Sequence, residues 1–423
     1  MHPFSIPGHR SVSWQTLGLA LLLSTAGTTM VSAQQENPLV LPQPFDLYST
    51  EAGVIHDPEP RANAFVGAQL FQSKDQLLAG GAHRILVFDQ DDNKNWNMTE
   101  RIDAPKDAVN PGTFGTNSFV TDDLLIAKTI MPGQQTDVYQ YMKMDDGWKR
   151  LDNLALTDLP ETCILNQSIS MGGDTLLIHS NHGVEVFRFD RDKKTHQWEQ
   201  TLEPPFEHER NRFGYSTATN GSYIAVASWE GSDQPERVDM YERDAVGKWV
   251  RTTQLPREAK NAEWFGRTLL FSGDTIFVGT PRWNGTTGCV LIFQRSPEGH
   301  WSEKQQLQVF PDSLGSLGNH LAFEGDTLLV GAGCEGYQGS AYVFKQAENG
   351  RFSRIAMLAS VKEPITSGFG AKVAIVNEDL LVASILKPQA GHGAAGAIHC
   401  FRLPIDEEPP AETPSEETQA RNE

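Results

Sequence analysis

Basic residues are scarce in this chain of 423 residues. Its 35 Lys and Arg stand against 54 Asp and Glu, which gives a formal net charge of −19 at pH 7. We therefore expect no nucleic-acid partner, because binding to phosphate backbones requires clustered Lys and Arg. An acidic surface could suit a basic partner or a cation, but more often it keeps an extracellular protein soluble.

Cysteine is also scarce. The four cysteines are Cys163, Cys289, Cys334 and Cys400. No CxxC pair and no His-bearing zinc pattern occurs, so no zinc site is predicted. A disulfide between Cys289 and Cys334 is conceivable in an exported protein, and four buried or free thiols are equally acceptable.

Long apolar runs are absent beyond the first 33 residues. Apart from histidines, that segment has one basic residue and no acidic one. It contains an apolar stretch from Leu17 to Met30 and ends in the small residues Val31-Ser32-Ala33. The pattern is typical of a secretory signal peptide, and its apolar part is short for a membrane span of about 20 residues. A retained anchor is the alternative. We expect a secreted, extracellular or periplasmic protein with no stable membrane insertion after cleavage.

A unit of about fifty residues is present seven times. Its clearest copy, from Phe265 to Val309, predicts four antiparallel strands, with a tight turn at Gly273-Asp274 between the first two. The first position of the unit recurs at Phe65, Phe114, Leu165, Phe213, Phe265, Leu317 and Phe369. A single four-stranded sheet cannot bury both of its faces. Seven such sheets arranged side by side in a ring can do so.

The residues of this unit resemble a known repeat. A Phe-Gly pair, a turn with Asp, a strand ending near Val-Gly and a strand ending in Phe resemble the FG-GAP repeat of integrin alpha-chain β-propellers and their bacterial relatives. The resemblance covers residues 65–402 and implies a seven-bladed propeller. Calcium-binding repeats of that family have an enlarged first hairpin with several Asp or Asn ligands. Here the hairpin offers only Asp274, so no metal is predicted.

The seventh copy ends before its fourth strand. Tyr48 lies 17 residues before Phe65, close to the spacing of the aromatic that opens the fourth strand in other copies. We therefore predict that Leu47 to Ile55 completes the last blade and closes the ring, which removes an open sheet edge. A loose N-terminal linker is the alternative.

Signals for catalysis and cofactors are weak. No GxSxG, HExxH or phosphate-binding Gly loop occurs. His179 and His182, the closest histidine pair, are interpreted as part of a polar loop, and residues 207–210 and 89–93 as solvated segments. No cofactor is predicted, and catalysis is judged uncertain but less favoured. Catalysis assembled around a central channel from several blades stays open.

Four aromatic residues stand apart from those that open outer strands. They are Trp229, Trp264, Trp283 and Tyr337. In a propeller, the loops between strands two and three and those between blades emerge on one face, so these residues are predicted to cluster above blades 4 to 6. Large aromatics there suit contact with proteins or sugars. The alternative is that each ring packs against its own loop.

The sequence thus predicts an all-β, seven-bladed propeller over residues 34–405, after a signal peptide at 1–33 and before an acidic, disordered tail at 406–423. We predict a non-catalytic recognition or adhesion module that binds an extracellular protein or carbohydrate through the aromatic face. An enzyme acting on an extracellular polymer at the channel, or an envelope scaffold, is the alternative. The oligomeric state is left open.

Overall fold

The computed structural model describes residues 51–129, 136–154, 159, 163–205, 213–228, 236–256, 262–283, 287–309, 315–333, 339–359 and 367–403. The predicted signal peptide and acidic tail lie outside these residues. Regular structure here is almost entirely β-strand. The exceptions are the short 3-10 turns Pro111–Thr113 and Gly115–Asn117.

Seven antiparallel sheets of four strands each form the blades of a ring, which confirms the predicted seven-bladed β-propeller. The innermost strands of blades 1 to 7 are Gln69–Ser73, Ser118–Val120, Leu165–Gly172, Ser216–Thr219, Thr268–Ser272, His320–Glu324 and Phe369–Val376. The second strands are Gln76–Gly81, Leu124–Thr129, Thr175–Ser180, Tyr223–Ser228, Thr275–Thr280, Thr327–Ala332 and Asp379–Ser384.

The two outer strands complete each blade. The third strands are Arg84–Gln90, Asp137–Met144, Val184–Asp190, Arg237–Arg243, Cys289–Arg295, Ser340–Gln346 and Ala397–Phe401. The fourth strands are Trp96–Asp103, Gly147–Arg150, Thr195–Leu202, Trp249–Gln254, Trp301–Leu307, Phe352–Leu358 and, in blade 7, Glu51–Ile55. A separate two-stranded sheet joins Ala262–Glu263 to Arg282–Trp283.

The N-terminal strand closes the ring. Glu51–Ile55 pairs antiparallel with Ala397–Phe401, with Val54 opposite His399 and Ile55 opposite Ile398. The prediction of a closing strand is confirmed for these residues, while residues 47–50 lie outside those described. Without this pairing, the third strand of blade 7 would be an edge strand with unpaired N–H and C=O groups, which favours recruitment of the N-terminal strand.

The repeated Phe-Gly pair is explained at the interfaces between blades. Phe265 and Phe369 are buried in apolar clusters formed by neighbouring blades. In blades 4 to 7 the glycine that follows has positive φ, +81° at Gly370, and a Cβ there would lie 2.1 Å from the carbonyl oxygen of Ser340 in blade 6. Backbone conformation and close approach thus both require glycine.

Cys163, Cys289 and Cys400 form no disulfide with one another, and Cys334 lies outside the described residues. Burial raises the pKa of the Cys400 thiol to about 12 and also raises the pKa of Cys289. These two thiols are therefore protonated, unreactive core groups at neutral pH. Within the part of the chain that the structure describes, no helix has the length and apolar character needed to cross a membrane.

Candidate functional site

The innermost strands line a central channel and bond to one another across the blade interfaces. Thr268 Oγ1 of blade 5 donates to the Asn319 carbonyl at 2.9 Å, and Gln69 Nε2 of blade 1 donates to the Thr116 carbonyl at 3.1 Å. These bonds fix each inner strand relative to the next. Side chains that enter the channel are therefore held on a rigid wall, as a binding or catalytic site requires.

The lower end of the channel, at the hairpins between first and second strands, is bridged. Gln72 Nε2 of blade 1 donates to Glu324 Oε1 of blade 6 at 2.7 Å. Blade 7 stands between these two blades, so the bond crosses the channel instead of joining neighbours. It narrows this end of the channel. The inner strands begin at the other, upper end, which we call the mouth.

Three basic residues lie at the upper end, where three successive inner strands begin, and we call them the mouth cluster. Arg267 precedes the inner strand of blade 5, His320 begins that of blade 6, and Lys372 lies within that of blade 7. Desolvation and then the charge of Arg267 lower the pKa of Lys372, and desolvation and then the charge of Lys372 lower that of His320. Because blades 5 and 7 are not adjacent, this coupling acts across the mouth.

An irregularity in the strand positions Lys372. Phe369 pairs with Ser384 and Val373 with Val382, so four residue steps on the inner strand face two on its partner. The two extra residues form a bulge that contains Lys372. Bulges redirect side chains away from the regular alternation of a strand, and they are common beside functional sites.

Burial controls the protonation of the mouth cluster. Lys372 and His320 keep part of their surface exposed, but the surrounding channel wall desolvates them, because a narrow channel solvates a charge poorly. Desolvation, with a smaller effect of Arg267, lowers the pKa of Lys372 to about 8. Desolvation and then Lys372 hold the pKa of His320 well below its usual value.

The tautomer of His320 follows from one contact. Its Nδ1 accepts a hydrogen bond from the Val373 backbone N–H at 3.3 Å. A neutral imidazole that accepts at Nδ1 carries its proton on Nε2. His320 therefore offers a neutral N–H donor, and Lys372 a partly deprotonated amine, at the same opening.

A second buried lysine lies between blades 2 and 3. Lys128 is fully buried, and its Nζ lies 3.4 Å from the Ser168 carbonyl oxygen, to which it donates. Desolvation lowers its pKa to about 7, and desolvation followed by the charge of Lys128 lowers the pKa of His179 to about 4. His179 thus faces a buried cation as well as the polar loop that the sequence predicted.

Replacing Lys128 with methionine is expected to flatten the dependence of stability on pH. The folded-state pKa of about 7 lies below the unfolded value of about 10.4, so the unfolded chain binds more protons between these values and stability rises with pH there. The variant should lose about 3 kcal/mol of this rise between pH 7 and 10, measured by urea unfolding. Lys149→Met, an exposed position in the same blade, is the control. Equal slopes in wild type and Lys128→Met would contradict the prediction.

The structure describes only part of the predicted aromatic face. Trp264 is 39 % exposed, and the backbone of Trp283 pairs with Ala262, two residues before Trp264. The connection between blades 4 and 5 and the loop of blade 5 therefore do emerge together. Trp229 and Tyr337 lie outside the described residues, so a four-residue cluster stays a prediction.

The mouth cluster itself was missed from the sequence. Each of its members follows a Phe-Gly or Leu-Gly pair within three positions: Gly266-Arg267, Gly318-Asn319-His320 and Gly370-Ala371-Lys372. A base one or two residues after the glycine in three successive repeats of an acidic chain is the available signal. The described residues contain no group of three or more His, Cys, Asp or Glu side chains that could hold a metal ion.

Comparison with known proteins supports the fold. No protein-family model matches the chain, and no curated protein matches it in sequence, so the FG-GAP assignment remains a resemblance. Among solved structures, the chain is similar to a candidate 6-phosphogluconolactonase of Bacteroides uniformis, with 15% identity, a TM-score of 0.50, and coverage of 73% of this chain and 89% of that one. It is also similar to a chain of a mitotic checkpoint complex, with 10% identity, a TM-score of 0.50, and coverage of 90% and 100%.

These comparisons correct the functional prediction. The prediction of a non-catalytic recognition module was wrong, because a propeller similar to this chain is named as a candidate enzyme. The physical reason is that the repeat specifies packing between blades, whereas function depends on the side chains that the ring brings together. Adhesion inferred from the repeat alone therefore has no support.

Proposed function

We propose that the protein is a hydrolase that opens a small lactone or ester at the upper mouth of the channel. The observation that carries the proposal is that Arg267, His320 and Lys372 lie where the inner strands of three consecutive blades begin, with Lys372 desolvated and affected by the Arg267 charge and His320 by the Lys372 charge. Perturbed protonation in a cleft is typical of catalytic groups. The bridge between Gln72 and Glu324 narrows the far end of the channel, which favours a pocket for a small molecule over a site for a long polymer.

Hydrolysis of a lactone needs a base for the attacking water and a donor for the developing oxyanion. With a pKa of about 8, about a tenth of Lys372 is uncharged at pH 7 and about half at pH 8. Its amine can remove a proton from water in that form. The Nε2–H of His320 can donate to the carbonyl oxygen, and it needs no change of protonation to do so.

Sugar lactones are the first substrates to test. The similarity to a candidate 6-phosphogluconolactonase shows a shared fold alone, so it suggests an assay without deciding its result. Glucono-δ-lactone and its 6-phosphate also provide a neutral and an anionic form of one reacting group. Hydrolysis by the whole chain would be followed as acid release above the spontaneous rate.

Changes at His320 should separate donation from packing. His320→Leu is expected to lower kcat by about 10²-fold, the usual effect of losing one oxyanion donor. His320→Gln should lose less of kcat, because the glutamine amide can accept a hydrogen bond from the Val373 N–H and still donate one to the oxyanion. Both variants should melt cooperatively near the wild-type temperature. The proposed function fails if the wild-type chain hydrolyses neither lactone nor simple aryl esters, or if His320→Leu hydrolyses them at the wild-type rate.

A further inference from the structure

A tryptophan with two arginines stands at the rim of the mouth. The Cζ atom of Arg282 lies 4.3 Å from the centroid of the Trp264 ring, and that of Arg267 lies 5.6 Å from it. Trp264 has a positive φ of +65° and stays 39 % exposed. Such a backbone conformation costs about 1–3 kcal/mol in a residue other than glycine. The same left-handed conformation occurs at Ser316 and Gly368, the residues before Leu317 and Phe369, so it belongs to the connection between blades. An exposed aromatic ring that carries two arginines is what sets Trp264 apart, and it makes this residue a candidate for binding.

Stacking leaves the hydrogen-bonding groups of these arginines available. A guanidinium on an aromatic face uses its π surface, while its N–H donors stay in its own plane. Other arginines in the ring have carboxylate partners, such as Arg243 with Glu199 and Arg295 with Glu242, both at 2.8 Å. Among the side chains that the structure describes, a set that leaves out Glu263, no carboxylate forms an ion pair with the guanidinium of Arg267 or Arg282.

Local structure holds the two arginines at the rim. The two-stranded sheet places Arg282 opposite Glu263, next to Trp264 in the chain. On the other side, the Arg267 N–H donates to the Trp264 carbonyl at 3.0 Å. Glu236, a nearby acid, has its Oε2 engaged by the Phe265 N–H at 2.6 Å. Arg267 therefore stands beside Trp264, and its charge also affects Lys372.

We propose that Arg267 and Arg282, held on Trp264, form a subsite for the anionic group of the substrate, a phosphate or a carboxylate. This inference rests on the proposed function, since it names the class of lactone or ester that the mouth cluster would hydrolyse. Planar guanidiniums suit both anions, because each can bind through two parallel N–H···O bonds. In a chain of net charge −19, an anionic ligand needs such a local cationic site to overcome general repulsion.

The test is binding of non-reacting anions to the whole chain by calorimetry. Inorganic phosphate and citrate are titrated separately into wild type, Arg267→Gln/Arg282→Gln and Arg351→Gln. Arg351 is an exposed residue of the blade 6 hairpin at the opposite end of the blades, so that variant is the control. We expect the double variant to bind at least tenfold more weakly and the control to match wild type. Tighter binding of phosphate indicates a phosphate ester, and tighter binding of citrate a carboxylate.

Two results would overturn the subsite. One is the absence of phosphate and citrate binding in wild type, and the other is equal binding by the double variant. These outcomes are independent of turnover. If the arginines bind the anions and no lactone or ester is hydrolysed, the proposed function fails and the subsite stands. If lactones are hydrolysed and anion binding does not depend on the arginines, the subsite alone fails.

Discussion

Lys372→Met is expected to lower kcat/KM for lactone hydrolysis by about 10²–10³-fold, within the usual contribution of a general base. The side chain is enclosed at the mouth of the channel, and burial with the nearby Arg267 charge brings its pKa to about 8. The methionine side chain has a similar length and no basic group. It should therefore keep the packing of the bulge in blade 7 and remove the proton acceptor.

The direction in which activity changes with pH tests whether Lys372 acts as a base. Only the uncharged amine acts as a base, so wild-type kcat/KM should rise with pH and level off above about 8, after subtraction of spontaneous hydrolysis. Lys372→Met should lack this rise. Arg267→Gln removes a neighbouring positive charge, so the pKa of Lys372 and the midpoint of the rise should both move upward.

Lys372→Arg is the matched control for charge. Arginine keeps a cation at the mouth but does not lose its proton at any working pH. Loss of activity in both the Met and the Arg variants supports a base, whereas wild-type activity in Lys372→Arg would show that Lys372 supplies only positive charge. That second result would contradict the assigned role while leaving the site in place.

Gly370→Ala is expected to destabilise the ring by about 3 kcal/mol or more. Its positive φ of +81° imposes strain on any L side chain, and the added Cβ would lie 2.1 Å from the Ser340 carbonyl oxygen. Left-handed strain costs about 1–2 kcal/mol, and forced overpacking typically adds about 1–3 kcal/mol. The interface between blades 6 and 7 must therefore shift.

Gly325→Ala separates these two effects. Gly325 lies in a hairpin turn with φ of +61°, and a Cβ there meets nothing within 4 Å. Gly325→Ala should show the backbone strain alone, so its free energy of unfolding in urea should fall by about 1 kcal/mol. If both alanine variants lose the same free energy, close approach between blades is not why glycine is required after the aromatic residue.

The fold was largely predictable because its information is local and repeated. Phe265, the Gly273 turn and Trp301 each mark one position of a blade, and seven copies identify those positions despite weak individual signals. The observed strand ends differ by about one residue from the predicted ones. For example, the inner strand of blade 5 is Thr268–Ser272, whereas the sequence predicts Arg267 to Phe271. Ring closure was predictable because the seventh copy lacked one strand.

The site was not predictable in the same way. Lys372 and Arg267 lie 105 residues apart by subtraction, and only closure of the ring brings their side chains to one opening. The bulge that places Lys372 arises from pairing between Phe369–Val376 and Asp379–Ser384, which no local pattern signals. Trp264 was identified as an exposed aromatic, but its two guanidinium neighbours depend on the small sheet beside it.

Joining the two ends of the chain in blade 7 has a consequence for biosynthesis. The third strand of that blade, Ala397–Phe401, is synthesised long after its partner Glu51–Ile55. Early blades can form while the chain is still being extended, but the closing contact spans all seven blades and forms slowly. A chain truncated before residue 397 would keep an unpaired edge open to other chains. Synthesis through residue 401 is therefore a condition for a ring without an unpaired edge in blade 7.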